Sequence, residues 1–285
     1  MTRVMGIVNV TPDSFSDGGV HAGRGPAVEH ALHLVDDGAD LVDVGGESTR
    51  PGALRVDADE EQRRVLPVLR DLVAAGVAVS VDTMRASTAA AALEMGAVVI
   101  NDVSGGLADP DMCAVISGSG ATYVVTHWRG HSAGMVGLAQ YDDVVEDVCT
   151  DLLRRVDDLV AAGVDCSQLI LDPGLGLAKR PEHDWRLLAS LHRIVGLGYP
   201  VLVGASRKSF LGELTRRPDG TVDPPADRDV ATAAVTALAV AAGVDLVRVH
   251  DVAVNRRAVA CAEPPSAGSP FVATNTSSST VRSAL

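Results

Sequence analysis

The chain has 285 residues, of which 47% are hydrophobic and only 3% are aromatic, and its formal net charge is −13. That length accommodates one large α/β domain with a core of mostly aliphatic side chains. The acidic balance argues against a nucleic-acid surface and a polybasic membrane surface, although a few arginines in a cleft can still bind a small anion. No apolar stretch reaches the roughly 18 residues of a membrane span, and the four cysteines form no CxxC or metal-binding pattern. Because the N-terminus also lacks a signal-peptide pattern, we expect a cytoplasmic protein with free thiols.

A repeated unit of helix, glycine and apolar strand runs along the chain. The first strand is the N-terminal run VMGIVNV (4–10). Each later unit has a helix-period segment ending in glycine, the residue favoured at a left-handed helix terminus, followed by an apolar run. The seven glycines are Gly38, Gly76, Gly96, Gly120, Gly163, Gly198 and Gly243. The runs after them are ADLVDV, VAVSVD, AVVIND, ATYVVTH, LILD, YPVLVGA and VDLVRVH.

The helical parts of these units carry their own signals. One stripe of apolar residues, spaced by three and four, predicts an amphipathic helix over 141–162; its members are Val145, Val148, Leu152, Val156 and Leu159. Asp57, with Glu60 three residues later, resembles the start of a capping box. These signals place helices between the strands.

The pattern predicts a single (β/α)8 TIM barrel over residues 1–262, with its active site at the C-terminal ends of the strands. The strands do not alternate with polar residues, which is typical of parallel strands covered on both faces. A doubly wound open sheet is the alternative, but no GxGxxG turn follows the first strand. Residues 263–285 are rich in Ser, Pro and Thr, and we expect a disordered tail there.

Polar residues stand at the downstream ends of the predicted strands. A strand-end aspartate alone is usually a helix cap, and a lone histidine is usually a structural hydrogen-bonding residue. In a barrel, however, all strand C-termini open onto one face, so these groups are expected to converge. They are Asn9, the turn from Asp43 to Ser48, Asp82, Asn101, His127, Asp172, the Arg207–Lys208 pair, Arg248 and His250.

The residue types suggest two neighbouring subsites. Asp82, Asp172 and Asn101 offer several acceptors and one amide donor, which suits a flat heterocycle with several N–H donors. Arg248, His250 and Asn9 meet when the last strand closes on the first, and they suit an oxyanion such as phosphate together with a hard metal ion. Lys208 is expected between the two groups.

Seven stretches together resemble the dihydropteroate synthase family of bacterial folate biosynthesis. In chain order they are MGIVNVTPDSFSDGG (5–19), DVGGESTRPGA (43–53), SVDTMRA (80–86), INDVSGG (100–106), LDPGLGLAK (171–179), VGASRKSF (203–210) and RVHDV (248–252). The resemblance spans residues 3–262, with each motif at an appropriate strand end.

The resemblance implies a transferase that is inhibited by sulfonamides. It joins 6-hydroxymethyl-7,8-dihydropterin diphosphate to p-aminobenzoate, releases pyrophosphate and uses Mg2+, and we expect a homodimer. Asp82, Asn101, Asp172 and Lys208 would hold the pterin and act as the catalytic groups, while Asn9, Arg50, Arg248 and His250 would hold the diphosphate, with Asn9 also at the metal. Thr49, Pro51, Phe15 and Ser209 would shape the p-aminobenzoate site, and Asp17 would assist metal binding and loop closure. The implied mechanism is dissociative.

Two residues depart from the family pattern. Leu177 stands where the family often has Phe, and Thr126 stands where it often has Met. Neither carries charge, so packing against the substrates is affected rather than the charged groups. A corrinoid-linked methyltetrahydrofolate methyltransferase and an inactive pterin-binding paralogue are the alternatives. The first would lack the TPDSFSDGG, STRPG and SRK motifs, and the second would show losses in the same loops.

Overall fold

The structure, a computed structural model, describes residues 1–11, 24–47, 55–131 and 134–263. Eight strands are present at the predicted places in this part of the chain, which confirms the strand predictions. They are β1 (Arg3–Asn9), β2 (Leu41–Gly45), β3 (Val79–Asp82), β4 (Val99–Asp102), β5 (Thr122–Thr126), β6 (Leu169–Asp172), β7 (Leu202–Val203) and β8 (Leu246–Val249). β7 is much shorter than the apolar run YPVLVGA suggested, because Pro200 within it has no N–H for a ladder.

The strands form one parallel sheet that follows the chain order around a barrel. The order is β6-β5-β4-β3-β2-β1-β8-β7. The two end strands meet through one bridge between Leu171 and Val201, and Leu171 N–H donates to the Pro200 carbonyl at 2.8 Å. The predicted (β/α)8 barrel is therefore confirmed, and a doubly wound sheet, whose strand order reverses at a switch point, is excluded.

Helices connect the strands over the outside of the barrel. Those within the described residues are α1 (Arg24–Asp36), α2 (Ala58–Ala74), α3 (Ala86–Glu94), α4 (Met112–Ser117), α5 (Val144–Ala161), α6 (Pro181–Ala189), α7 (Leu191–Val195), α8 (Ser209–Gly212), α9 (Asp229–Ala241) and α10 (Val252–Ala262). All five apolar residues of the predicted stripe on α5 are buried. Asp57 caps α2 by accepting from Glu60 N–H at 2.7 Å, but the Glu60 carboxylate binds Arg63 and Arg64 instead of completing the box.

The glycines that end the helical segments all have positive φ angles. Gly38, Gly76, Gly96, Gly120, Gly163, Gly198 and Gly243 have φ between 69° and 102°. An L side chain is strained there, so the sequence prediction of left-handed helix termini is confirmed.

The barrel interior changes from apolar to polar along the strands. Its lower end is filled by one cluster of side chains, comprising Met5, Leu41, Val99, Val124, Ile170, Leu202 and Leu246. Side chains two residues apart on a strand share a face, so the next inward layer follows directly. Polar members of that layer are Asp43, Asn101, Thr126, Asp172 and Arg248. The fold thus places the polar groups above a dry apolar floor, at the strand C-termini.

The two ends of the described chain lie together. Glu263, the first residue of the segment predicted as a tail, accepts a hydrogen bond from Thr2 N–H at 2.6 Å. This residue is therefore attached to the barrel, while residues 264–285 lie outside the described part. None of the described helices is long and apolar enough to cross a membrane.

Candidate active site

A buried charge network occupies the centre of the strand C-termini. Arg248 donates from Nε to Asp43 Oδ2 at 2.6 Å and from Nη2 to Asp82 Oδ2 at 2.8 Å. Asn101 donates from Nδ2 to the same Asp43 oxygen at 2.8 Å. Strands β2, β3, β4 and β8 each contribute one of these groups. The structure therefore brings Asp82, Asn101 and Arg248 together as expected.

Asp82 is held in an environment that disfavours its charge. Its side chain is 12% exposed, and burial raises the pKa of the carboxyl to about 7, with Arg248 opposing and Asp43 adding to the increase. Positive charge that develops beside such a carboxylate lowers the free energy of its ionised form, because burial makes an unpaired anion costly.

Asp172 and Lys208 form the second charged group of the site. Asp172 is 8% exposed, and its Oδ1 accepts from Gly174 N–H at 2.7 Å. Burial raises the pKa of Asp172 and lowers that of Lys208, while the opposite charges of the two groups counteract both shifts. Lys208 Nζ donates to the Leu175 carbonyl. The lysine is therefore anchored to the turn that follows β6.

A glycine joins this group to the network around Arg248. A Cβ on Gly204, just after β7, would lie 3.9 Å from both Arg248 Cβ and Asp172 Oδ2. Both charged groups therefore lie within ordinary contact distance of the same residue. The predicted pterin-binding residues thus line one continuous region.

The Arg207–Lys208 pair splits between two environments. Arg207 has a φ of 58° and pairs with Asp229 through two hydrogen bonds of 2.7 Å. A cation is normally unfavourable at a helix N-terminus because of the helix macrodipole. Lys208 precedes α8, but α8 has only four residues, so its macrodipole is small. Arg207 therefore attaches the turn after β7 to α9, whereas Lys208 extends toward the turn after β6.

His250 extends the site at the end of β8. Its Nδ1 lies 2.9 Å from Ser206 Oγ, and that oxygen also accepts from His250 N–H at 3.0 Å. When the Ser206 hydroxyl donates to Nδ1, the ring proton resides on Nε2. The Ser206 hydroxyl thus contacts both the backbone N–H and the ring Nδ1 of His250, which fixes the orientation of the ring.

His127 does not belong to the converging groups. It is 3% exposed, its Nε2 lies 3.2 Å from Asp151 Oδ2, and its Nδ1 lies 3.0 Å from Lys179 Nζ. Burial lowers its pKa to about 4. Lys179 in turn donates to the Gly174 carbonyl at 2.9 Å and the Leu177 carbonyl at 3.2 Å. His127 and Lys179 therefore support the turn after β6.

The two departures from the family pattern are both buried. Leu177 is 8% exposed and packs with Ala178 and Val103, next to the turn after β4. Thr126 is 4% exposed at the end of β5. Thr126 also pairs in register with Asp172, one of the residues predicted to bind the pterin.

Asn9 is the predicted metal ligand. It ends β1 and pairs in register with Gly45 of β2. The described residues contain no group of three or more His, Cys, Asp or Glu that could hold a metal ion. Mg2+ usually binds one or two protein oxygens and completes its shell with water and substrate phosphate, so a single amide oxygen beside an oxyanion site fits it.

Several predicted site residues lie outside the described part of the chain. They are Phe15, Asp17, Thr49, Arg50 and Pro51. Ser209, the remaining residue predicted for the p-aminobenzoate site, is exposed at the first position of α8. Its place directly after Lys208 is consistent with that prediction.

Three supporting residues were not identified from the sequence as separate site residues. Asp43 receives two site donors, Ser206 orients His250, and Lys179 holds the turn after β6. Asp43 and Ser206 act through hydrogen bonds between distant segments, which sequence spacing does not reveal, whereas Lys179 binds carbonyls of its own turn. The only available signal for Asp43 was that it begins the polar turn predicted after the apolar run, from Asp43 to Ser48.

Comparison with known proteins gives one consistent family. The sequence profile of the family described as pterin binding enzyme matches residues 5–250. The dihydropteroate synthase of Mycobacterium leprae (strain TN) is 52% identical over 251 residues, which covers 88% of each chain. A structure of Xanthomonas albilineans dihydropteroate synthase with 4-aminobenzoic acid superposes with a TM-score of 0.84 at 44% identity, covering 91% of each chain. The complex of that enzyme with 7,8-dihydropteroate gives a TM-score of 0.81 at 41% identity, covering 91% of this chain and 92% of the other.

Proposed function

Because the chain belongs to the dihydropteroate synthase family of pterin-binding enzymes, we propose that it condenses 6-hydroxymethyl-7,8-dihydropterin diphosphate with p-aminobenzoate. The products are 7,8-dihydropteroate and pyrophosphate. The observation that supports this most directly is the buried network in which Arg248 is shared by Asp43 and Asp82 beside Asn101. It combines acceptors for a heterocycle with a cation for a diphosphate in one place.

Asp82, Asn101, Asp172 and Lys208 hold the pterin in this proposal. The carboxylates accept from N–H donors of the ring, and a ligand without those donors would leave buried charges unpaired, which is strongly unfavourable. The same carboxylates stabilise positive charge that develops on the ring. Recognition and catalysis therefore use the same groups.

Arg248, His250 and Arg50 bind the diphosphate together with Asn9. Arg248 uses Nε and Nη2 within the network, and among the described residues no hydrogen bond engages Nη1, which is proposed to donate to a phosphate oxygen. Mg2+, when bound at Asn9, would neutralise charge on the departing pyrophosphate. Asp17 is proposed to assist this binding.

The reaction proceeds by dissociation. The C–O bond between the pterin methylene and the diphosphate breaks first, and the electron pair leaves with pyrophosphate. The aniline nitrogen of p-aminobenzoate then forms the C–N bond and loses a proton. Asp82 and Asp172 stabilise the cation between these steps, while Thr49, Pro51, Phe15 and Ser209 position p-aminobenzoate.

A homodimer that uses α9 completes the proposal. α9 carries no charged residue after Asp229, and one side of it exposes Val230, Ala234, Leu238 and Ala241. Val230 is 80% exposed and Leu238 is 59% exposed. An exposed apolar stripe without charged residues suits burial against the same stripe of a second copy.

We also propose that the protein works in the cytoplasm. Cys113, Cys149, Cys166 and Cys261 are free thiols. Thiols that stay unpaired are typical of a reducing compartment.

Pyrophosphate release tests the proposed function. The pterin diphosphate should release pyrophosphate rapidly when p-aminobenzoate and Mg2+ are both present, and slowly without p-aminobenzoate. A sulfonamide added together with p-aminobenzoate should slow the release. Methyl transfer from methyltetrahydrofolate to a corrinoid serves as the comparison reaction. Methyl transfer without pyrophosphate release would favour the methyltransferase alternative, and binding of pterin without either reaction would favour an inactive paralogue.

A further inference from the structure

Asp43 is a fully buried carboxylate at the centre of β2. Its exposed fraction is 0%, so a substrate in the cleft does not contact it. Its Oδ2 accepts from both Arg248 Nε (2.6 Å) and Asn101 Nδ2 (2.8 Å). Its Oδ1 is buried and has no hydrogen-bond partner within the described residues. Every hydrogen bond that holds this carboxylate thus comes from a residue of the proposed site.

Asp102, the other fully buried aspartate of the described strands, is held differently. Its Oδ1 accepts from the backbone and the hydroxyl of Ser104, and its Oδ2 accepts from Gly106 N–H and the Tyr123 hydroxyl. Both oxygens are satisfied by the turn after β4 and by the neighbouring strand. Asp102 therefore stabilises a turn, whereas Asp43 serves the two side chains that bind to it.

We propose that Asp43 is a positioning residue that fixes Arg248 and Asn101 for the pterin diphosphate, and thereby selects a heterocycle that donates hydrogen bonds. This inference rests on the proposed function. A single anion then orients one group of the diphosphate site and one group of the pterin site. The two subsites are coupled through one oxygen atom.

The effect on Asn101 follows from the two ends of an amide. A free asparagine side chain can present either its oxygen or its nitrogen after a half-turn. Because Asp43 accepts from Nδ2, the amide oxygen of Asn101 must face the other way. Asn101 therefore presents an acceptor, which suits an N–H of the ring.

The effect on Arg248 concerns the plane of its guanidinium group. Asp43 and Asp82 bind two different nitrogens, Nε and Nη2, so the planar group cannot rotate. The direction of Nη1 is then fixed before the diphosphate arrives. Fixing a donor in advance lowers the cost of binding an anion.

Asp43→Asn tests the proposal, with Ser80→Ala as the matched control. Ser80 pairs in register with Asp43 on β3, is equally buried, and its hydroxyl has no partner within the described residues. For Asp43→Asn we expect kcat/KM for the pterin diphosphate to fall about tenfold or more, because two charge-assisted contacts lose their anion. The KM for p-aminobenzoate should change less than about twofold, and Ser80→Ala should leave both constants within about twofold. The inference would be overturned if Asp43→Asn raised the KM for p-aminobenzoate as much as it lowered kcat/KM for the pterin diphosphate. It would also be overturned if Asp43→Asn kept the kcat/KM of an active wild type. An inactive wild type would instead refute the proposed function.

A double-mutant cycle separates positioning from general support of the fold. If Asp43 acts through Asn101, Asp43→Asn should cost less in an Asn101→Ala background than in the wild type. Costs that multiply independently would contradict the proposal.

A measurement on the wild type covers the case in which Asp43→Asn does not fold. The Nε–H proton of Arg248, identified by its absence in Arg248→Lys, should exchange slowly with water in the ligand-free protein. Exchange as fast as that of exposed Arg154 would show that Asp43 does not hold the guanidinium group.

Discussion

Two opposing requirements meet at the carboxyl group of Asp82. Burial raises its pKa to about 7, whereas stabilising a cation requires the ionised form. Arg248, whose Nη2 lies 2.8 Å from Asp82 Oδ2, favours ionisation and is itself proposed to bind the diphosphate. The pKa of Asp82 therefore lies near neutrality, and positive charge that develops on a bound ring would favour its ionised form; such perturbed groups are typical of active sites.

Asp82→Asn should separate binding of the ring from stabilisation of its charge. The variant keeps the shape, removes the charge and turns one acceptor into a donor. We expect turnover to fall by about 10²–10³, the usual cost of losing a group that acts mainly in the transition state. Steady-state pyrophosphate release measures it, with exposed Asp111→Asn as the control. A variant that keeps more than about a third of wild-type turnover would contradict the role of Asp82.

The raised pKa of Asp82 also predicts how stability depends on pH. Between the ordinary aspartate pKa and about 7, the folded protein binds more protons at Asp82 than the unfolded chain does. The contribution of Asp82 to the stability of the folded protein is therefore complete below the ordinary aspartate pKa, and it is lost as pH rises through the folded pKa of about 7. We expect thermal unfolding curves to show this contribution in the wild type and not in Asp82→Asn. Identical pH dependence in the two proteins would show that the pKa of Asp82 is not raised.

Leu177 gives a prediction about substrate affinity. An aromatic side chain at this position would contribute about 0.5–1.5 kcal/mol beyond area burial against the aniline ring, and leucine lacks that contribution. We expect Leu177→Phe to lower the KM for p-aminobenzoate a few-fold and to tighten sulfonamide inhibition. Because Leu177 is already packed against Ala178 and Val103, the melting temperature must be measured alongside. An unchanged or raised KM in a folded variant would show that Leu177 does not face the aniline ring.

At the scale of elements, the turn between β6 and α6 is built around Gly176. It has a φ of 71°, and a Cβ there would lie 2.9 Å from Lys208 Cδ. The chain thus passes against the stem of the lysine, and only glycine permits this approach. Gly198 has a similar φ of 86° but nothing within 4 Å of its Cβ position.

Gly176→Ala and Gly198→Ala should therefore differ in activity but not in backbone strain. Both variants should lose about 1–2 kcal/mol of unfolding free energy, since both place a Cβ at a positive φ. Only Gly176→Ala should also lose activity, because its methyl group displaces Lys208. Chemical denaturation and kcat/KM for the pterin substrate measure the two effects. Equal activities in the two variants would mean that the position of Lys208 is not critical.

The sequence predicted elements whose signals are local. The seven helix-ending glycines and the stripe on α5 are set by backbone geometry and by periodicity within one segment. α7 was not predicted, because it depends on how neighbouring segments pack. The shortness of β7 was not predicted either, although Pro200 within the run is a local signal for it. The same division holds in the site. Strand-end residues such as Asp82 could be identified, whereas the use of one Asp43 oxygen by two strands could not.

At the scale of the whole molecule, α9 determines the expected assembly. Leu238→Glu places a charge in the exposed apolar stripe and should convert the proposed dimer to a monomer, because a buried unpaired charge is costly. Leu153→Glu on α5, where Leu153 is 38% exposed, is the control and should remain dimeric. Sedimentation equilibrium distinguishes the two outcomes. A wild-type monomer, or a Leu238→Glu dimer, would show that α9 is not the interface.

The single bridge between β6 and β7 divides the site itself. Asp172 ends β6, Lys208 follows β7, and the two strands between them share little more than the contact of Leu171 with Pro200 and Val201. β6 and β7 share the fewest paired residues of any neighbouring strands in the described barrel, since each of the other pairs has at least two. A pterin bound between Asp172 and Lys208 would connect β6 to the segment after β7 at the place where the two strands are least paired. The substrate then completes the wall of the barrel that recognises it.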